Sequence, residues 1–313
     1  MSTEGGTKAI VAALLANTGI AISKFVAAGI TNSASMLAEG VHSVADASNQ
    51  VLLLIGGKAA RKAASPAHPF GYGRERYIYA FIVSIVLFSI GGVYALYEGW
   101  HKLQDTEHGL DSPLVAVIVL VIAIILESFS LRTAVKESNA VRGKQTWVQF
   151  IKGSRSPELP VILLEDIGAL VGLILALLGV SLSWITHNAI FDALGTMSIG
   201  VLLVLIAIVL AIEIRSMLIG ESATHEDIAA IEGAIRQDGT STLIHLKTLH
   251  VGPDELLVAA KVGIDRTETG EQVAAEIDAA EARIRAAVPK AKLIYIEPDI
   301  HRTETAGAPA AEA

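Results

Sequence analysis

The sequence predicts an α-helical membrane protein: six transmembrane helices followed by a small C-terminal cytoplasmic α+β domain. Three observations carry this reading. Hydrophobic residues make up 52% of the chain and charged residues 18%, with a mean hydropathy of +0.53, which is more apolar than a soluble domain. Six stretches, 8–30, 34–60, 77–101, 113–136, 159–184 and 189–217, approach the roughly 20 apolar residues that cross about 30 Å of hydrocarbon. Beyond about residue 218 the apolar runs give way to shorter segments of helix and strand period.

The first stretch, MSTEGGTKAIVAALLANTGIAISKF, is long enough to span and lacks the charged leader of a signal peptide, so it reads as a retained helix. Lys24, toward its outer end, is expected to snorkel to the surface. The second and fifth spans are the least purely apolar. The last two are separated only by the break in SWITHNAIFDAL and should form an antiparallel hairpin.

Charge fixes the expected orientation. The second and third spans are joined through Lys58, Arg61, Lys62, Arg74 and Arg76, and the fourth and fifth through Arg132, Lys136, Arg142, Lys144, Lys152 and Arg155. The loop between the third and fourth sets Lys102 among Asp105, Glu107 and Asp111, and the other two loops hold no Lys or Arg. Cationic loops stay on the cytoplasmic side, so both termini are expected there.

In the C-terminal part, THEDIAAIEGAIRQ reads as an amphipathic helix with Thr224 as its cap. LIHLKTLHV and ELLVAAKVGI read as strands joined by a Gly-Pro-Asp turn, GEQVAAEIDAAEARIRAAV as a second helix and AKLIYIEP as a last strand. The α-β-β-α-β order predicts helices on one face of a sheet. The expected organisation is therefore a transport domain at 1–217, a small domain at 218–302 and a disordered tail at 303–313.

Several function classes are disfavoured at once. A net charge of -8 argues against a nucleic-acid partner. The absence of cysteine removes disulfides and thiolate metal sites, leaving oxygen and imidazole nitrogen as the main donors for any metal. No GxxxxGK[ST] loop and no defensible acid–base or nucleophile arrangement occurs, so an enzyme is not expected.

The informative stretch is AEGVHSVADASNQ in the second span. Glu39, His42, Asp46 and Asn49 are spaced by three, four and three, which puts them on one face of a helix. An unpaired Asp at bilayer depth costs on the order of 3 kcal/mol or more, so these groups must face a cavity or each other. His and Asp one turn apart can share a cation. A second polar knot, PVILLEDIGALVG in the fifth span, holds Glu165 and Asp166, which point about 100° apart. Together the two spans could build an N/O site of a kind that suits Zn²⁺, and also Mn²⁺ and related ions. Such ligands release protons when metal binds. A site opening alternately to either side would therefore exchange metal for protons.

At these residues the chain resembles the cation diffusion facilitator family, from about residue 8 to 300. The stretches SASMLAEGVHSVADASNQ, HPFGYGRERY and PVILLED resemble the branch that includes zinc transporter nine and its bacterial relatives. The resemblance implies cytoplasmic termini, a ferredoxin-like C-terminal domain, a homodimer and residence in a bacterial inner membrane. It also implies a transport site built from an [HD]xxxD pair on each of the second and fifth spans. His42 and Asp46 match the first pair, and a His there resembles the zinc-transporting members. The expected function is export of a divalent cation from the cytoplasm in exchange for protons, with zinc as cargo and no organic cofactor. Mn²⁺, Co²⁺ or Fe²⁺ transport, or a non-transporting metal sensor or membrane scaffold, are the alternatives.

The fifth span departs from the family pattern. Four residues before Asp166 stands Ile162, which cannot coordinate, so Glu165, Glu39, Asn49 or water is expected to complete the site. In SPAHPFGYG, Tyr72 and Ser65 stand where a second metal site would need His and Asp, so His68 reads as a structural loop residue near Arg74 and Arg76. In the C-terminal domain His245, His250, Glu297 and His301 do not complete a metal cluster, Tyr295 taking a usual His position. Arg74 or Arg76 is expected to pair with Glu221, and Glu127 is one further intramembrane acid without an assigned role.

Overall fold

Residues 3–104, 112–236 and 242–300 are described by a computed structural model. The predicted tail, His301 and the loop acids Asp105, Glu107 and Asp111 lie outside the described residues. The chain divides into two compact units, Met1–Leu218 and Ile219–Ala313.

The first unit is helical: α1 Thr3–Thr31, α2 Ala34–Ala59, α3 Glu75–Ile82, a π-helical segment Val83–Leu87, α4 Phe88–Gln104, α5 Pro113–Arg142, α6 Trp147–Gly153, α7 Glu158–Thr186 and α8 Ile190–Ile219. The third predicted span is continuous through the π segment. Four rods among the described residues are long and apolar enough to cross a membrane: Glu75–Gln104, Pro113–Arg142, Glu158–Thr186 and Ile190–Ile219. α2 is not one of them, because Glu39, His42, Asp46 and Asn49 interrupt its apolar run.

Local chemistry explains the helix ends. Ser33 caps α2, its Oγ accepting from the Met36 N–H at 3.2 Å, and Asn32 makes the turn with φ at +51°. Lys102 Nζ donates to the Asn32 carbonyl at 3.1 Å, closing the α1–α2 turn from the end of α4. Between α7 and α8, His187 takes φ at +52° and Asn188 Oδ1 accepts from the Ile190 N–H at 3.0 Å, so the predicted hairpin turns within three residues. α6 was not expected from the sequence. Its signal is the T-x-x-Q box: Thr146 and Gln149 cap each other reciprocally.

The core of this unit joins Met36, Leu120, Leu173, Ile199, Leu203, Leu210 and Ile214. α4 and α8 approach so closely that a Cβ on Gly200 would lie 2.8 Å from the Gly92 carbonyl oxygen. Small residues at helix contacts supply this fit where lipid offers no hydrophobic drive.

The second unit follows the predicted order: α9 His225–Arg236, β1 Thr242–Gly252, β2 Glu255–Ile264, α10 Gly270–Ala287 and β3 Ala291–Ile300. The sheet runs β1-β2-β3, with β1 antiparallel and β3 parallel to β2. Leu256, Val258, Ala260 and Val262 alternate along β2 onto one face, where they meet Ile231 and Ile235 of α9 and Ile284 of α10. Thr224 caps α9 through Asp227, as expected, and Asp227 also binds Lys290 at 2.6 Å.

Candidate functional site

The 3.6-residue period of α2 brings Glu39, His42, Asp46 and Asn49 to one face, and all four are buried. His42 Nε2 stands 3.7 Å from Asp46 Oδ2, one turn along the helix. α7 brings Glu165 and Asp166 inward, both buried. The two acids diverge as their adjacency requires. Glu165 faces α2, where its Oε2 accepts from Asn49 Nδ2. Asp166 faces α5, where its Oδ2 accepts from Ser130 Oγ at 3.1 Å.

Glu127 of α5 is the acid that sequence reasoning left without a role. It is half-buried and lies within electrostatic range of Asp46 and Asp166. The result is a polar seam: His42, Asp46 and Asn49 from α2, Glu165 and Asp166 from α7, and Glu127 and Ser130 from α5. The imidazole and carboxylates are spread along it. Among the described residues no three His, Asp or Glu side chains stand together closely enough to hold an ion.

Ile162 has a structural occupation. It packs with Leu163, Ala134 and Phe150, so the position one turn before Asp166 belongs to an apolar contact between α5, α6 and α7.

Glu39 differs from the other members of the α2 face. Its Oε2 accepts from Lys24 Nζ at 3.0 Å, and Lys24 also donates to Ser43 Oγ at 2.8 Å. Lys24 is 3% exposed and Glu39 0%. The expectation that Lys24 snorkels is thereby corrected: its carboxylate partner on α2 is inside, so the ammonium stays inside with it.

At the other end of the unit, Arg76 Nε donates to Glu158 Oε1 at 2.5 Å, and Tyr77 donates to the Arg155 carbonyl at 3.0 Å, joining α3 to the start of α7. The α2–α3 loop is ordered by its own residues. Ser65 and His68 exchange backbone hydrogen bonds at 3.1 and 2.9 Å, and the His68 ring packs against Tyr72 with centroids 4.6 Å apart and planes tilted by 36°. His68 thus finds Tyr72 as its ring partner. Asp192, in the first turn of α8, was missed from the sequence. It is 0% exposed and accepts from Ser33 Oγ at 3.0 Å, linking α8 to the cap of α2. Its only signal was an acid just inside an apolar run.

In the second unit His250 is buried, its backbone N–H donating to the Glu221 carbonyl at 2.9 Å, while His245 is exposed. Glu297 and Asp299 of β3 both bind Lys261 of β2, at 3.2 and 3.0 Å. The hydrogen bonds that Lys261 donates to Asp299 and Glu297 raise the pKa of its ammonium above the ordinary value.

Residues 10–219 match the cation efflux transmembrane domain. The chain is 31% identical over 265 residues to the human proton-coupled zinc antiporter SLC30A9, mitochondrial, a match covering 84% of this chain and 46% of that protein. It is 28% identical to metal tolerance protein C4 of Arabidopsis thaliana over 84% of this chain and 58% of that one. The magnetosome protein MamM of Paramagnetospirillum magneticum is 23% identical, over 87% and 81%. The chain spans about half the length of the first of these relatives. With the domain matched over two thirds of the sequence and relatives of one kind along most of it, this membrane protein belongs to the cation efflux family, the cation diffusion facilitators.

Proposed function

We propose that the protein is a secondary transporter that exports a divalent metal cation, zinc first, from the cytoplasm in exchange for protons. The carrying observation is the buried polar seam between α2 and α7, with His42 and Asp46 one turn apart and Asn49 bonded to Glu165. Ionisable groups at bilayer depth are costly and are kept for a pathway. His42, Asp46, Asn49, Glu165 and Asp166 are the proposed donors. Glu39, the sixth donor expected from sequence, is engaged by Lys24. A neutral imidazole and ionised carboxylates bind metal and lose it on protonation, which couples the two fluxes. That the human relative is named a proton-coupled zinc antiporter supports the same reading.

The wider architecture is part of this proposal. α1 and α2 join the four apolar rods as a six-span transport domain at 1–217. The unit from 218 to 302 is a ferredoxin-like domain through which two copies pair. Both termini lie on the cytoplasmic side of a bacterial inner membrane. With Ile162 in place of a second imidazole, the donor set is rich in oxygen, which favours Mn²⁺, Co²⁺ or Fe²⁺ as competing cargo.

The test is flux. The full chain in liposomes with an imposed pH gradient should move zinc against protons, and Asp46→Asn should abolish both. Saturable binding without flux would favour a metal sensor or scaffold; a faster flux of Mn²⁺, Co²⁺ or Fe²⁺ would change the cargo.

A further inference from the structure

Lys24 and Glu39 form a buried ion pair on the same seam as the proposed donors, yet neither has a role in the exchange described above. Lys24 Nζ is 3.0 Å from Glu39 Oε2 and 2.8 Å from Ser43 Oγ, so the ammonium of α1 lies along the α2 face that carries His42. The other oxygen of Glu39 is turned to α7. A Cβ on Gly172 would lie 2.8 Å from Glu39 Oε1, so the carboxylate rests close against α7 at that glycine. Oε1 has no hydrogen-bond partner among the described residues. Glu39 therefore lies between the Lys24 ammonium and the α7 backbone at Gly172, about one helical turn before His42 along α2. Lys24 is also within electrostatic range of His42 and Asp46.

Two consequences follow from charge. A free carboxylate beside His42 would add a fourth acid to Asp46, Glu165 and Asp166. More ligand charge tightens the hold on a divalent ion. A transporter must also let the ion go, so binding has to stay moderate. Conversely, an ammonium with no counter-charge would repel a doubly charged ion from the same seam. The pair as built does neither.

Taking the seam as a divalent-cation site, we propose that Lys24 is the residue of α1 that tunes its hold on the ion: by neutralising Glu39 and holding it aside, it fixes the number of carboxylates that meet the ion. The pair then sets affinity through charge, and its two halves act in opposite directions.

Zinc titration calorimetry on the purified full-length protein in detergent tests this, with thermal melting to check folding. Even at the dielectric of water, about 80, a unit charge several ångströms from a divalent ion changes affinity by about tenfold, and a drier site raises the effect. Lys24→Met should therefore tighten zinc by about tenfold or more, and Glu39→Gln should weaken it by about tenfold or more. The double variant Lys24→Met/Glu39→Gln and the charge-keeping Lys24→Arg should return to within about threefold of the parent. Single variants that shift affinity in the same direction, or leave it unchanged in folded protein, would overturn the proposal and make the pair a structural tie. Should Lys24→Met not fold, weakening by Glu39→Gln that the double variant reverses supports the proposal, and any other result overturns it. A parent protein that binds no zinc would remove the site reading itself, and this proposal with it. A parent that binds while the variants break the pattern removes this proposal alone.

Discussion

Asn49 of α2 donates through its side-chain amide to the Glu165 carboxylate of α7, and this bond ties the two helices at the level of the buried acids. The two adjacent carboxyls of α7 face different helices. Glu165 turns to α2, while Asp166 turns to Ser130 of α5. A single helix thus serves two neighbours through consecutive residues.

Asn49→Ala removes the donor and leaves Glu165 buried beside an apolar methyl. Loss of one partner of a buried hydrogen bond costs about 1–3 kcal/mol. The expected outcome is a lower melting temperature in detergent together with weaker zinc binding in calorimetry. An unchanged melting temperature would mean that the α2–α7 tie carries no stability.

How much of this was legible beforehand varies by residue. The approximate places of the long helices followed from apolar run length, though α5 runs on to Arg142, and the shared face of Glu39, His42, Asp46 and Asn49 followed from periodicity, which acts within a few turns. The order of the C-terminal elements followed likewise. The partners did not. Lys24 reads as a surface cation because its carboxylate lies 15 residues away on another helix, and nothing local reports that distance. Ile162 reads as a lost ligand, whereas it fills an apolar contact with Phe150 of a helix that sequence reasoning overlooked. The tie between Ser33 and Asp192 spans 159 residues and has no local signature.

His42→Asp exchanges the one imidazole of the seam for a carboxylate. Nitrogen donors favour zinc and all-oxygen sets favour harder ions. Zinc affinity should fall relative to Mn²⁺, read by competitive titration of both ions against the parent protein. An unaltered ratio would take His42 out of the selectivity argument.

Two glycine substitutions separate crowding from propensity. Gly200→Ala drives a methyl to 2.8 Å from the Gly92 carbonyl oxygen and should cost about 1–3 kcal/mol. Gly57→Ala meets nothing within 4 Å and should stabilise α2 by up to about 1 kcal/mol. Thermal unfolding of the two variants side by side should show shifts of opposite sign.

Acid should loosen the start of α9. Burial pushes the Asp227 carboxyl up, but hydrogen bonds from Lys290 and Thr224 and the Lys290 charge outweigh it and hold the group below its ordinary value. A carboxyl depressed on folding adds stability that is complete above its unfolded value, about 4, and is lost as pH falls through the folded one. Hydrogen exchange of the full chain should show protection in α9 dropping as pH falls below about 4. Lys290→Met should flatten that dependence, and a dependence identical to the parent would assign it to other groups.

The central claim is that the residues facing each other from α2 and α7 share one divalent ion. Anomalous diffraction from zinc-loaded crystals tests it most directly. The expected result is a zinc peak between the two helices, about 2.0–2.2 Å from a His42 ring nitrogen and from carboxylate oxygens of Asp46 and of α7. Zinc bound elsewhere, with the seam between Asp46 and Glu165 free of metal at saturating concentration, would contradict it.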